Sequence, residues 1–444
     1  MQKYSTYKPS NVEWLGDVPN HWKVDKLKNY CDIFASNVDK KIEEGEIEVS
    51  LCNYVDVYKN EKIDRSIDFM IASATQAEIE KFTLQLNDII LTKDSETPDD
   101  IAVPAIVKEV FENFLCGYHL SIIRCKKKIE PDFLIWALRD LHIATQFHRE
   151  AVGITRFGLA SKHFKNGIFA IPSRAEQTAI AAYLDQATAN IDKVIATKQK
   201  QLEKLEQYKQ SKIHECVTKG LNPDVTLKPS GIDWIGNVPS HWKVERLKYV
   251  VSKIGSGVTP KGGATVYQTT GIPLIRSQNV HFDGLDFSDI ACITEEIHDD
   301  MSGSKVKRGD VLLNITGASI GRCYYYDLDD EANVNQHVCI LRPNDLMTTN
   351  FLYYLMMSEV GQSQIFSGFK GSGREGLGNE AIKVFKIPLP KTKEQKEISD
   401  YLDFFCDNIK KEKSIIEQQI EKLKQYRKCL IHECVTGKRK VIND

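Results

Sequence analysis

At 444 residues the chain exceeds what one hydrophobic core normally supports, so two or more domains are expected. Its 42% hydrophobic and 27% charged content places it among soluble globular proteins, and a net charge of −2 excludes a free-standing, strongly basic, nonspecific nucleic-acid binder. Charge is nonetheless segregated: residues 421–440 hold seven Lys or Arg against two Glu, whereas 286–300 hold six acidic residues and no Lys or Arg. No run of about 18 apolar residues occurs, and MQKYSTYKPSN lacks the apolar core of a signal peptide, so a cytoplasmic location is expected. The eleven cysteines are scattered, with no Cys-x-x-Cys, which predicts reduced, mostly buried thiols and no metal site.

The first element is a Trp- and Pro-marked opening motif at 7–30, YKPSNVEWLGDVPNHWKVDKLKNY, and it returns at 227–250 as LKPSGIDWIGNVPSHWKVERLKYV, with thirteen of 24 positions identical. A period this long marks a duplicated domain and not a solenoid. Trp14, Trp22, Trp234 and Trp242, with seven residues between the members of each pair, Gly and Pro among them, predict a turn pinned by aromatic anchors.

Each opening motif leads into a mixed segment, roughly 31–170 and 251–388, with short β-type runs. Asp88–Leu91 and Asp310–Leu313 form one pair of runs, and Leu120–Arg124 and Val338–Arg342, each just after a His, form another. Short helices are predicted at Pro131–Leu141 and Asn350–Ser358, and a Gly-rich loop at 367–374. The halves agree here in pattern more than in identity, which predicts one scaffold presenting two different surfaces.

A long helix closes each half, about 173–219 and 392–436, free of Pro and Gly before its end and rich in good helix formers. Glu176-Gln177, Tyr183-Leu184-Asp185 and Ile213–Thr218 recur at an offset of 218 as Glu394-Gln395, Tyr401-Leu402-Asp403 and Ile431–Thr436. Heptad positions run through Leu184, Ile191, Leu205 and Tyr208 in the first helix and Leu402, Ile409, Ile416, Leu423 and Tyr426 in the second, weakened by Lys198, Gln201, Glu412 and Gln419. Helices of roughly 65–70 Å rarely stand alone in water, so each needs a partner. Antiparallel pairing of the two copies would relate the halves by a pseudo-twofold axis; two helices docking on their own domains is the alternative. The expected fold is α+β: two mixed α/β domains separated by two long helices in an antiparallel coiled coil. The expected boundaries are 1–170, helix 171–219, linker 220–226, 227–390, helix 391–436 and a basic tail at 437–444.

Catalytic constellations are missing. There is no Gly-x(4)-Gly-Lys-Ser/Thr, no His-Glu-x-x-His and no Asn-Pro-Pro-aromatic tetrapeptide. Gly317–Gly321 lacks nucleotide-loop spacing, Asp99-Asp100 reads as a solvated loop, and His214 and His432 read as capping or packing residues near helix ends. Base reading instead needs donor–acceptor side chains on projecting loops. The candidates are Thr92, Lys93, Tyr118, His119, Thr155 and Arg156 in the first half, and Thr259, Arg276, Gln278, Asn279, Thr316, Ser319, Gln336, His337, Lys370, Ser372 and Arg374 in the second. At an offset of 218, His119 matches His337, Arg156 matches Arg374 and Gly158 matches Gly376.

The repeated KPSNVEWLGDVPNHWKV and KPSGIDWIGNVPSHWKV, with SGVTPKGGATVYQTTGIPLIRSQNV, KRGDVLLNITGASIGR and the EQ…YLD…IHECVT helices, resemble the specificity subunits of type I restriction-modification systems over essentially the whole chain. The resemblance implies two target recognition domains, each reading half of a bipartite, asymmetric site on double-stranded DNA. It implies a helix pair that sets the spacer and docks two adenine methyltransferase subunits. The chain itself would bind no cofactor: S-adenosylmethionine would belong to the methyltransferase, and ATP and Mg to a restriction and translocation subunit. The first half departs from the pattern where LNDIILTKDSETPDD replaces the glycine-rich loop. The competing reading is a helical scaffold whose degenerate domains no longer bind DNA.

Overall fold

A computed structural model describes residues 3–368 and 376–441. It divides into two compact units that do not follow chain order: Met1–Lys198 with Glu417–Asp444, and Gln199–Ile416. In the first unit the sheet is built from β1 (Cys31–Ala35), β2 (Lys62–Ile63), β3 (Ile89–Thr92), β5 (Pro104–Val107) and β6 (Leu120–Cys125), in the order β1-β6-β3-β5-β2. The short β4 (Asp94–Ser95) follows β3 and belongs to a separate ribbon. The run Ile-Ile-Leu-Thr of β3 is buried throughout, which is why it reads as a continuous apolar stretch without alternation. Helices α1 (Pro131–Arg139) and α2 (Leu141–His148) pack into the same core as Trp22, Phe133 and Phe164. A hairpin of β7 (Val152–Gly153) and β8 (Phe157–Gly158) precedes the long α3 (Arg174–Lys219).

The second unit repeats this plan. Strands β9 (Val251–Ser256), β11 (Val311–Asn314), β12 (Cys323–Tyr325) and β13 (Val338–Pro343) form a sheet ordered β9-β13-β11-β12, with β10 (Ile272–Ile275) in a smaller sheet. Helices α4 (Thr349–Met357) and α5 (Glu359–Gly368) follow, and the long α6 (Thr392–Val435) comes last in the chain. The central pairing has the same register in both units: Ile89 faces Ile123, and Val311 faces Leu341. Just before the inner strand of each pair lies a buried carboxylate gripped by an arginine fork. Asp88 accepts from Arg124 Nε at 2.9 Å and Nη2 at 2.7 Å; Asp310 accepts from Arg342 at 2.7 and 2.8 Å. Such bidentate pairs are directional as well as strong, so they lock the register of strands that apolar contacts alone would leave free to slip.

The polar repeats on the long helices are anchors. Gln177, buried in the first turn of α3, accepts the Glu130 amide proton at 2.7 Å and donates to Pro172 O at 3.0 Å; Gln395 does the same with Thr348 and Pro390 at 2.8 and 3.0 Å. About two helical turns further on, Asp185 accepts from Trp136 Nε1 at 2.9 Å and Asp403 from the Tyr354 hydroxyl at 2.6 Å. Buried polar groups must be satisfied, and here each satisfies a partner on the short helix beside the sheet. The long helix is thereby clamped to the sheet-bearing body of its unit at two levels.

Within each unit the two long helices run antiparallel. In the first, Lys198 meets Gln419 at 2.5 Å and Asp192 meets Arg427 at 3.2 Å; in the second, Glu206 pairs with Lys413 at 2.9 Å and Tyr208 packs edge-on against Phe405. Leu184, Ile191, Leu402, Ile409 and Ile416 are buried and Leu205 and Leu423 half-buried, whereas Tyr208 and Tyr426 are about half exposed. Within each unit these apolar positions alternate with polar ones, Lys198 and Gln419 in the first and Gln201 and Glu412 in the second.

Both helices end on a left-handed glycine pressed against the opening motif. A Cβ on Gly220 (φ 74°) would meet Trp242 at 3.3 Å, and one on Gly437 (φ 75°) would strike Pro19 at 2.3 Å. Trp22 and Trp242 are fully buried, with Trp14 and Trp234 partly buried against the same cores, as aromatic anchors should be. Glu176 ties this corner together, accepting from His21, Trp22 and Ser173 at 3.0, 3.2 and 2.8 Å. Burial acts to raise its pKa, but the hydrogen bonds from His21, Ser173 and Trp22 outweigh it and bring it from 4.5 to about 2. The folded value lies below the unfolded one, so the stability this carboxylate contributes is present above about pH 4.5 and drains away as pH falls towards 2. Urea unfolding should therefore show Glu176→Gln destabilised at neutral pH, with the gap to wild type closing below about pH 4. A gap that does not change with pH would refute the assignment.

Candidate nucleic-acid interface

The sheet edge where β3 ends and β6 begins collects several of the polar residues singled out by sequence. Lys93 donates its amide proton to His119 O at 3.0 Å, and the Leu159 amide after the β7–β8 hairpin donates to Lys93 O at 2.7 Å. Gly158 stands opposite Asp94 and Phe157 opposite Ser95. The loop after β3, the turn before β6 and the hairpin are thus stitched into one ridge. On it, the Asp94 carboxylate lies 2.5 Å from His119 Nδ1 and 2.9 Å from Arg156 Nη2, and the Tyr118 and His119 rings sit 3.6 Å apart. Burial lowers the His119 pKa, with Arg156 acting in the same direction and Asp94 opposing. A neutral imidazole both donates and accepts, which suits base edges.

The hairpin tip projects from this ridge. Thr155 and Arg156 are exposed, and so are Val152 at 75% and Ile154 at 94%. Gly153 makes the turn possible, since a Cβ there would lie 1.9 Å from Arg156 O. Asp94, Val152 and Ile154 were not among the sequence candidates. The strand pairing of β4 with β8 would have identified Asp94, but two-residue strands leave no periodic signal.

The second unit places different side chains on the same frame. His337 immediately precedes β13 as His119 precedes β6, and its Nδ1 lies 2.6 Å from the Thr316 hydroxyl, the position equivalent to Asp94. Gln336 is exposed, with its amide 3.0 Å from His337 Nε2. Leu377 N donates to Ile315 O at 2.8 Å, as Leu159 does to Lys93, and a Cβ on Gly376 would lie 2.4 Å from Thr316. Gly158 and Gly376 therefore occupy equivalent places where the chain returns over the strand end, tightly at Gly376 and with room to spare at Gly158, where a Cβ would meet Asp94 Cβ at 3.9 Å. Ser319 lies half-buried in the turn after Thr316, and Thr259 is exposed on a separate loop. Lys370, Ser372 and Arg374 lie outside the described residues.

Other candidates are committed elsewhere. Thr92 is buried, donating to Asp100 O at 2.7 Å and accepting from Val103 N at 3.0 Å. Asn279 is buried as well, accepting from Arg276 N at 2.9 Å and donating to Asp286 O at 2.9 Å. Both shape loops and present no polar atom for a base. Lys93 directs its ammonium to Ser36 O at 3.0 Å, and burial lowers its pKa. Arg276 donates to the Asp289 backbone carbonyl and Gln278 to its carboxylate, at 2.8 Å each, so both side chains are engaged beside an exposed acid.

Comparison with known proteins agrees with this duplicated frame. The family model described as the type I restriction modification DNA specificity domain matches residues 19–207 and again 239–422. The type I restriction enzyme MjaVIII specificity subunit of Methanocaldococcus jannaschii is 25% identical over 444 residues, covering 98% of both chains. Among solved structures, a chain from a study of complex assembly and conformational transition of the type I R-M system covers 94% of this chain and 98% of its own. Its TM-score is 0.73 at 16% identity. The HsdS subunit from Thermoanaerobacter tengcongensis covers 95% and 98%, with a TM-score of 0.55 at 18% identity. Two matches to one domain model, laid over two units with the same strand register and the same helix clamps, place this chain in the type I restriction-modification specificity subunit family, with its two recognition domains in tandem.

Proposed function

We propose that the chain is the noncatalytic subunit that gives a type I restriction-modification complex its DNA sequence specificity. Each unit reads one half of a bipartite, asymmetric site on double-stranded DNA. The paired helices set the spacer and dock two adenine methyltransferase subunits, which carry S-adenosylmethionine, while restriction subunits carry ATP and Mg. One observation carries this reading: a histidine immediately precedes the same strand in both units, beside Asp94 and Arg156 in one and Thr316 and Gln336 in the other. An identical frame with different donors and acceptors is what two different half-sites demand. The near-neutral net charge fits a subunit whose partners close around the duplex and supply part of the phosphate contact.

Arg156→Ala tests it. Co-expressed with its methyltransferase subunit, the wild-type chain should direct methylation to a single split motif with one modified adenine per half. The variant should lose about 1–3 kcal/mol of discrimination at one base pair of one half, leaving the other half and subunit assembly intact. His337→Ala should relax only the opposite half. An unmethylated genome despite an assembled complex would defeat the proposal, and so would a variant that relaxes both halves equally.

A further inference from the structure

Near the C-terminal end of α6, three side chains converge that neither the fold nor base reading uses as a group. Asp140 sits between α1 and α2, buried, with Oδ1 accepting from Ile143 N at 2.9 Å as the cap of α2. Its Oδ2 lies 2.9 Å from His432 Nδ1, and its Oδ1 lies 3.7 Å from His142 Nδ1. One ligand atom from each residue can be chosen so that all three lie within 4.8 Å of one another, and the two imidazole rings are 4.5 Å apart. A tetrahedral ion bound at zinc distances separates its ligand atoms by about 3.3 Å, so closing on a metal needs only small rotamer adjustments. The carboxylate is held by the helix cap, and the two helices are held by the apolar core that includes Ile143, Phe147, Leu430 and Ile431. Lys438, which feels the Asp140 charge, points its ammonium at Leu15 O, 2.7 Å away.

The second unit supplies a comparison. His214 stands where His432 does, but the positions equivalent to Asp140 and His142 are Ser358 and Val360, and the Ser358 hydroxyl donates to Leu355 O at 2.8 Å. One unit carries the full set and the other a single ligand.

We propose that Asp140, His142 and His432 bind one divalent transition-metal ion of the zinc class, with the fourth position open to water. Both imidazoles coordinate in the neutral form through Nδ1 with the proton on Nε2, and the ion clasps the last turns of α6 to α2. The test is calorimetric titration of the metal-stripped, full-length chain with zinc chloride. It should bind one equivalent and raise the thermal midpoint. His142→Ala, at an exposed position where folding is not at stake, should weaken binding at least about tenfold and abolish the midpoint shift, and His214→Ala should change neither. Because the cysteines are competing ligands, cobalt replaces zinc in a second titration, and its spectrum should lack thiolate charge transfer. No stoichiometric binding, binding unaltered in His142→Ala, or a thiolate band would each overturn the proposal.

Discussion

Removing seven residues from each long helix, 199–205 and 412–418, is expected to abolish methylation at the wild-type spacing. Residues 199–205 lie between Lys198 and Glu206, whose partners on α6 are Gln419 and Lys413, and the second deletion takes in Lys413 itself. A heptad turns an α-helix by nearly two full turns, so the seam continues in phase while each helix loses about 10 Å. Along B-DNA that length is about three base pairs. Three base pairs also rotate one half-site about the duplex axis by roughly a hundred degrees, because a turn takes about 10 base pairs. Residual methylation should therefore appear only at a shorter spacer and at much reduced efficiency. Methylome sequencing decides the matter. Modification at the original spacing would show that something other than helix length measures the site.

The second large effect concerns stability. Arg342→Met strands the Asp310 carboxylate in the core with only the Lys307 amide, 2.7 Å away, to satisfy it. Breaking a buried pair from one side typically costs about 3–5 kcal/mol, and replacing both partners by apolar residues costs far less. Denaturant titration should thus show a large loss for Arg342→Met and a substantial recovery in Asp310→Leu/Arg342→Met. Arg124→Met should do the same to the first unit through Asp88. A single variant within about 1 kcal/mol of wild type would mean that water reaches the carboxylate and the pair is not structural.

The legible parts of the chain were those where one residue's role depends on its neighbours in sequence. The opening motif, the strands at Leu120 and Val338 and the long helices are local patterns, and all of them appear. The EQ and YLD repeats were visible, but their meaning was not, because Gln177 and Asp185 act on Glu130 and Trp136, which lie more than 40 residues away. Thr92 and Asn279 look in sequence like any polar loop residue, and only the fold shows their side chains turned inward. Arg276 is a base-reading candidate by sequence, and nothing local predicts that Asp289 folds back beside it. By contrast, the offset that matched Gly158 with Gly376 pointed to a true equivalence of place, although only Gly376 is crowded enough to exclude a Cβ; one on Gly158 would meet Asp94 Cβ at 3.9 Å.

The first compact unit is completed by residues 417–441, and its core includes Leu430, Ile431, Cys434 and Val435 beside Leu15 and Trp22. On the ribosome the order of completion is therefore inverted. Unit 2 has all its residues once Ile416 is made, whereas the apolar stripe of α3 up to Lys198 waits for a partner still 218 residues from synthesis. At about 5–20 residues per second that delay is roughly ten to forty seconds. The half of the chain born first is the last able to close, and for that interval Leu184, Ile191 and Trp22 depend on whatever else in the cell can shield them.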